Sequence, residues 1–335
     1  MTLRAGIIGA GGRAQVHLSV LSGLSDLKIV GIADVDRSRA ERAVAQFGGR
    51  PYTRGDELMD AEKPDVVFLI VPYFLHKEVA WPAIERKIPF FIEKPLSNNL
   101  ADAVAIAEAV ERAGLLTSVG YQWRYRASVD QAREILGNEP IGMIVSDYIH
   151  GWPNTEWSKQ GRLSGGQILA QMTHLLDLAR YFAGDVESVY AQCTVKTRLA
   201  LAETGNWDNW SVTVRFKNGT LGNFWSTYSL FPKGARFDVV ADEKLIGITG
   251  KAMTLTRRDG EQEFPDLSRP EIRMHQSFVA AIRNNDPSCL RSTVADALWS
   301  GLLSYAAVES ARTGQPVSPE ALLAQERRAE VRGLA

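Results

Sequence analysis

The chain has 335 residues, 45% of them hydrophobic and 23% charged, and its 38 Lys and Arg nearly balance 39 Asp and Glu, for a formal net charge of −1. That balance gives no electrostatic reason to expect nucleic acid or an anionic membrane as a partner. Cys193 and Cys289 are too few for a disulfide framework or a thiolate metal cluster, and with no run of about 18 apolar residues and no signal-peptide pattern a cytoplasmic protein of about two domains is expected.

The first 120 residues alternate apolar runs with amphipathic stretches. The runs are RAGIIG, KIVGIAD, DVVFLIV, IPFFIE and LTSVGY, and helical patterns cover Ala14 to Leu21, Arg37 to Phe47 and Leu100 to Ala113. Runs rich in Val and Ile, alternating with helices, predict an α/β domain with a parallel doubly wound sheet. The first run leads into Gly9-Ala10-Gly11-Gly12-Arg13-Ala14, a G-x-G-x-x-A pattern between a strand and a helix. In such a loop the first glycine permits the tight turn and the second lets the backbone approach a pyrophosphate. A small third residue, here Ala14, lets the helix pack on the strand. Amides at the helix N-terminus then face the phosphates. Asp34 closes the second run, near the roughly 20-residue spacing of an acid that binds the cofactor ribose. A carboxylate there favours NAD. Arg37 and Arg39, just beyond it, leave NADP possible.

The run IPFFIE ends in Glu93-Lys94-Pro95. Doubly wound sheets bind ligands beyond the carboxyl ends of their strands, so Lys94 is expected at a cleft. Pro95 keeps Lys94 out of the helical region. A partly desolvated lysine beside a positively charged nicotinamide would have a depressed pKa, as a general base near neutral pH requires.

The pattern changes near residues 121 to 126, which divides the chain into domains 1–122 and 123–335. Gln122 and Arg124 stand where the first domain ends, at the expected cleft mouth; Arg124 either reaches a substrate oxygen or bridges the domains. A helix is expected from Gly165 to Phe182, with Gln171, His174 and Asp177 spaced by three along one side. SVYAQCTVKT, NWSVTVRFKNGTLGNFWSTYSL, RFDVVAD and KAMTLTRRDGEQEF read as strands, with turn signals at Asn218-Gly219 and Asp259-Gly260. Trp210, Val212, Val214 and Phe216 share one face of theirs. The second half is therefore expected to be α+β with a mostly antiparallel sheet buried on one face, followed by helices near Pro270 to Asn284 and Ser292 to Thr313. The closing LLAQERRAEVRGLA reads as a frayed tail. No His/Asp/Glu cluster has metal spacing.

Several motifs spread along the chain resemble the family of glucose-fructose oxidoreductase, inositol dehydrogenase and the rhizopine catabolism oxidoreductase. They are GAGGRA with His17, Val71-Pro72 with His76, Glu93-Lys94-Pro95, Gly120-Tyr121-Gln122 with Arg124, and Gly165-Gly166 with His174 and Asp177. The resemblance implies an N-terminal Rossmann domain, a C-terminal domain with an open-faced sheet, and dimers or tetramers built through that sheet. It implies hydride exchange between NAD(P) and a sugar, polyol or cyclitol, with Lys94 as acid/base and His174 on the reacting hydroxyl. A cis peptide before Pro95 goes with it. Pro72, His76, Glu93 and Gln122 are expected near the cofactor, with Arg13 of the glycine loop. In the loop GWPNTEWSKQGR, Trp152 or Trp157 could stack on a sugar, and Arg162 or Lys159 could bind its oxygens. The inositol dehydrogenase branch carries an aspartate four residues before the histidine; here that residue is Ala170. That departure keeps an alternative open, glycoside cleavage or lyase chemistry by transient oxidation with no net NADH. A non-catalytic NAD sensor would have no need of Lys94.

Overall fold

A computed structural model of the chain describes residues 2–151, 155–331 and 333. Two compact units emerge from its contacts. The first comprises Met1–Ser97, Asp102–Gln122 and Arg269–Leu298; the second comprises Asn98–Ala101, Trp123–Ser268 and Trp299–Ala335.

The first unit is built from β1 (Leu3–Ile8), α1 (Gly12–Leu21), β2 (Leu27–Ala33), α2 (Arg37–Phe47), β3 (Arg50–Tyr52), α3 (Gly55–Glu62), β4 (Val66–Leu69), α4 (His76–Glu85), β5 (Phe90–Ile92), α5 (Leu100–Ala113) and β6 (Thr117–Val119). Among the described residues these strands form one parallel sheet in the order β3-β2-β1-β4-β5-β6. All residues of β4 and β5 are buried, as a sheet covered on both faces requires. The chain order reverses between β1 and β4, the switch point at which such sheets bind ligands. β3 was not expected; it is three residues long and carries Pro51, which is tolerated at a sheet edge.

The second half of the chain contains α6 (Ala127–Leu136), β7 (Met143–Ile149), α7 (Glu156–Lys159), α8 (Gly161–Ser164), a π-helical turn (Ile168–Met172), α9 (Thr173–Ala183), β8 (Val186–Thr194), β9 (Asn209–Phe216), β10 (Leu221–Thr227), β11 (Gly234–Ala241), β12 (Lys244–Thr249), β13 (Ala252–Arg257), β14 (Gly260–Pro265), α10 (Pro270–Asn284), α11 (Val294–Thr313) and α12 (Pro319–Val331). Its described strands form one sheet in the order β14-β13-β12-β11-β7-β10-β9-β8. Only the β7–β10 pair is parallel. The β9–β10 and β13–β14 hairpins turn at the Asn-Gly and Asp-Gly pairs read from the sequence. Trp210, Val212, Val214 and Phe216 are all buried, whereas Ser211, Thr213 and Arg215 are exposed.

Two expectations need correction. The closing segment, expected as a frayed tail, is helical in α12 as far as Val331. The segment Arg269–Leu298 was expected with the second domain but belongs to the first unit. It is tied there to β6 by one backbone and one side-chain acceptor: Val119 N–H donates to Ser292 O at 3.0 Å, and Val294 N–H to Thr117 Oγ1 at 3.1 Å. No helix among the described residues is long and apolar enough to cross a membrane.

Candidate active site

The glycine loop sits at the switch point of the first unit. Gly9 has φ +106°, and a Cβ on it would lie 2.1 Å from Ile70 O. Only glycine fits that turn. At Gly11 and Gly12 a Cβ would meet nothing within 4 Å. Neither glycine is required by protein packing, so the space in front of them is available to a ligand. α1 starts at Gly12, no side chain among the described residues caps it, and its first turn holds no acid. Its N-terminal amides therefore suit a pyrophosphate. Ala14, buried behind the loop, fills the close-packing position. These features fit a dinucleotide.

Asp34 follows β2, half-buried. Its Oδ2 accepts from Ala10 N–H at 2.8 Å and its Oδ1 from Asp36 N–H at 2.9 Å. The same carboxylate thus braces the glycine loop and keeps lone pairs for ribose hydroxyls. Arg37 pairs with Glu41 at 2.8 Å and Arg39 with Asp36 at 3.3 Å, so both are engaged within their own helix region.

Lys94 leaves the carboxyl end of β5, and the Lys94–Pro95 peptide is cis. Burial pulls its ammonium down to about 8; the Glu93 carboxylate opposes this and Arg13 adds to it. Glu93 turns inward. Its Oε1 accepts from Arg13 Nε at 2.9 Å and His17 Nε2 at 2.7 Å, and its Oε2 from Lys94 N–H at 3.0 Å. Burial works against the Glu93 charge, but Arg13, His17 and Lys94 outweigh it and hold the carboxyl well below its usual range. Gly120 makes room for this group, since a Cβ there would stand 2.9 Å from Glu93 Oε2. Arg13 also donates to Gln122 Oε1 at 2.6 Å. Glu93 and Gln122, expected beside the cofactor, therefore serve first as anchors for Arg13.

His76 departs from its expected role. It is fully buried, with Nδ1 3.1 Å from Leu96 O and Nε2 3.3 Å from Val71 O. Burial lowers its pKa to about 4 and keeps it neutral. It clamps the loop after β4 to the loop after Pro95. Pro72, half-buried at the start of that loop, stays at the sheet edge where the cofactor was expected.

In the second unit, Gly165 and Gly166 take φ +60° and +75° and open the path to His174. The predicted continuous helix is interrupted by the π-helical turn Ile168–Met172. Ser304 Oγ donates to Ile168 O at 3.3 Å within this turn. Such turns recur at functional sites. Gln171 lies in it, and His174 is the second residue of α9, 8% exposed. Asp177 is fully buried and takes a two-pronged bond from Arg124, Nε–Oδ2 2.8 Å and Nη2–Oδ1 2.6 Å, plus Ser300 Oγ at 2.6 Å. The Arg124 guanidinium also lies 4.9 Å from the Tyr181 ring. A buried charge must be paired, and Arg124 is paired with Asp177 inside its own unit. Trp157 is half-buried on α7. Arg162 is exposed and donates to Gln160 Oε1 at 2.9 Å. Trp152 lies outside the described residues.

Some polar groups escaped the sequence reading. His275 on α10 joins His17, 2.7 Å away. In the second unit Gln167 is fully buried with no hydrogen-bond partner at either amide atom among the described residues, and Gln171 Oε1 and Asn206 Oδ1 also lack one. Gln171 was marked by its spacing with His174 and Asp177, but no local pattern marks His275, Gln167 or Asn206.

Comparison with known proteins agrees with this geometry. The family description "Oxidoreductase family, NAD-binding Rossmann fold" matches residues 3–121, and "GFO/IDH/MocA C-terminal domain" matches residues 129–246. Glucose-6-phosphate 3-dehydrogenase of Bacillus subtilis is 31% identical over 209 residues, 58% of this chain, and the match spans only 59% of that protein. Myo-inositol 2-dehydrogenase of Thermotoga maritima is 25% identical over 341 residues, covering 96% of this chain and 100% of the other. Levoglucosan dehydrogenase, solved with NADH and levoglucosan, shares the fold with a TM-score of 0.87 at 21% identity, over 95% of this chain and 99% of that one.

Proposed function

Because the chain belongs to the family of glucose-fructose oxidoreductase, inositol dehydrogenase and MocA, with an NAD-binding Rossmann domain, we propose that it exchanges a hydride with a hydroxyl carbon of a sugar, polyol or cyclitol. The observation that carries this reading is Lys94 itself. It stands at the carboxyl end of β5, in the same unit as the open glycine loop, with burial holding its ammonium near 8.

Bound NAD would supply the hydride acceptor. The chain's own residues do the rest. The uncapped N-terminus of α1 receives the pyrophosphate, and Asp34 accepts bonds from the ribose hydroxyls and disfavours a 2′-phosphate. Arg37 and Arg39, already paired with acids, support NAD over NADP. In the oxidative direction Lys94 takes the hydroxyl proton; in the reductive direction it returns it. His174 is the second group assigned to that hydroxyl. Trp157, Arg162 and Gln171 are assigned to the rest of the substrate. We also assign dimer or tetramer formation to the second unit's sheet, whose strands expose Tyr190, Leu221 and Trp225. Sedimentation of the purified protein checks that assignment.

A panel of sugars, cyclitols and sugar acids, assayed with NAD and NADP by NADH absorbance, tests the reading. Growth of absorbance with a polyhydroxyl substrate supports it. A second reading rests on Ala170, which leaves His174 without the acid expected four residues before it. Product formed with no growth of NADH would favour transient oxidation, as in a glycosidase or lyase. Absence of any product across the panel would sink both.

A further inference from the structure

Glu93, His17 and His275 form a hydrogen-bonded line inside the first unit. His17 Nε2 lies 2.7 Å from Glu93 Oε1, and His17 Nδ1 lies 2.7 Å from His275 Nε2. Both imidazoles are fully buried, 4.9 Å apart edge to face, and both rest on Phe91. Three ionisable groups in an apolar interior are unfavourable unless each is bonded, and an apolar trio of similar volume would often be as stable. Packing alone gives no reason for them.

The far end of the line sets its direction. His275 Nδ1 has no hydrogen-bond partner among the described residues. A buried N–H without an acceptor is rarer than a buried acceptor without a donor, so the proton of His275 sits on Nε2. His275 Nε2–H then donates to His17 Nδ1, and His17 Nε2–H donates to Glu93. Burial resists a second proton on His275. At the near end, Glu93 also accepts from Lys94 N–H and Arg13. The charged and titratable groups around this line are Arg13 and His17 from α1, His275 and Glu271 from α10, and Lys94 after β5.

We infer that His17, oriented by His275, is a positioning residue for Lys94: its N–H takes up part of the Glu93 charge and so sets how firmly that carboxylate keeps a proton on the lysine. This rests on the reading of Lys94 as the acid/base. The effects carry signs. Glu93→Gln removes the negative charge, so Lys94 loses its proton more easily, by about tenfold in ionisation constant. His17→Leu removes a donor and leaves more charge on Glu93, so Lys94 holds its proton more firmly, by roughly threefold. His17→Gln restores an N–H close to the lost one and returns Lys94 toward its original titration. His275→Phe leaves His17 less polarised and acts as His17→Leu does, more weakly.

The experiment is a titration of the full-length protein after reductive methylation with carbon-13, the Lys94 signal being the one missing from Lys94→Ala. Opposite shifts in Glu93→Gln and His17→Leu, with recovery in His17→Gln, support the inference. Equal shifts in His17→Leu and His17→Gln, or none in either, overturn it. If His17→Leu does not fold, His275→Phe carries the same test: no upward shift overturns it. The pH profile of kcat/KM is read alongside. Signed shifts in the lysine signal with no matching movement of the profile uphold the relay while refuting the acid/base role.

Discussion

Two buried polar clusters, one in each unit, are paired to different extents. In the first, Glu93 is buried and accepts from His17, Arg13 and the Lys94 N–H. In the second, Gln167 is equally buried, yet neither of its amide atoms is bonded among the described residues, and Gln171 Oε1 and Asn206 Oδ1 are in the same state. A buried polar group left unpaired costs about 1–3 kcal/mol. In the first arrangement the Glu93 carboxylate is therefore satisfied by protein groups alone. The second carries unused hydrogen-bonding capacity, beside a π-helical turn, that ordered water would fill.

This contrast can be broken or sharpened by four measurements. Lys94→Ala is expected to lower turnover by roughly 10²–10⁴-fold with NAD affinity nearly intact; steady-state rates and a binding isotherm check it, and near-original turnover removes Lys94 from the chemistry. Asp177→Ala removes the carboxylate paired with the Arg124 guanidinium and is expected to destabilise the fold by about 3–5 kcal/mol, read by urea unfolding; a loss well under that would mean that this charged bridge is less buried than the geometry indicates. The third is pH. Lys94 must be neutral to accept a proton, and its ammonium is held near 8, so kcat/KM for oxidation should rise about tenfold per unit below that value and flatten above it. The reductive direction should show the reverse, falling above it. A flat profile in both directions contradicts a lysine base. The smallest effect belongs to Gln167→Leu. Its amide has no partner to lose and its burial is costly, so stability should stay level or rise by about 1–3 kcal/mol. A large loss would reveal a tightly held water; a raised KM at unchanged stability would show that the residue meets the substrate.

Much of the chain was legible because its signals are local. Alternation in NWSVTVRF depends on residues two apart, and all four inward residues are buried. The glycine loop, Asp34 and Glu93-Lys94-Pro95 declare themselves by spacing and by the strand that precedes them. β7 did not. Its MIVSDYI places Ser146 and Asp147 mid-strand, and Ser146 is tolerated inside only because its hydroxyl donates to Arg236 O on β11 at 2.6 Å. The charged ending hid α12 in the same way: its composition suggested solvent, and only the fold made it a helix.

By itself, then, the sequence determined the α/β first domain, the antiparallel character of the second, the phosphate loop and the lysine at a strand's end, since each follows from backbone geometry within a few residues. Tertiary structure alone decided what the polar side chains do. It made His76 a loop clamp and Arg124 the partner of Asp177, and it brought His275 to His17 across 258 positions of chain. Hydrogen bonds join groups by distance in space, and the topology that sets this distance leaves no mark in the local pattern around either partner.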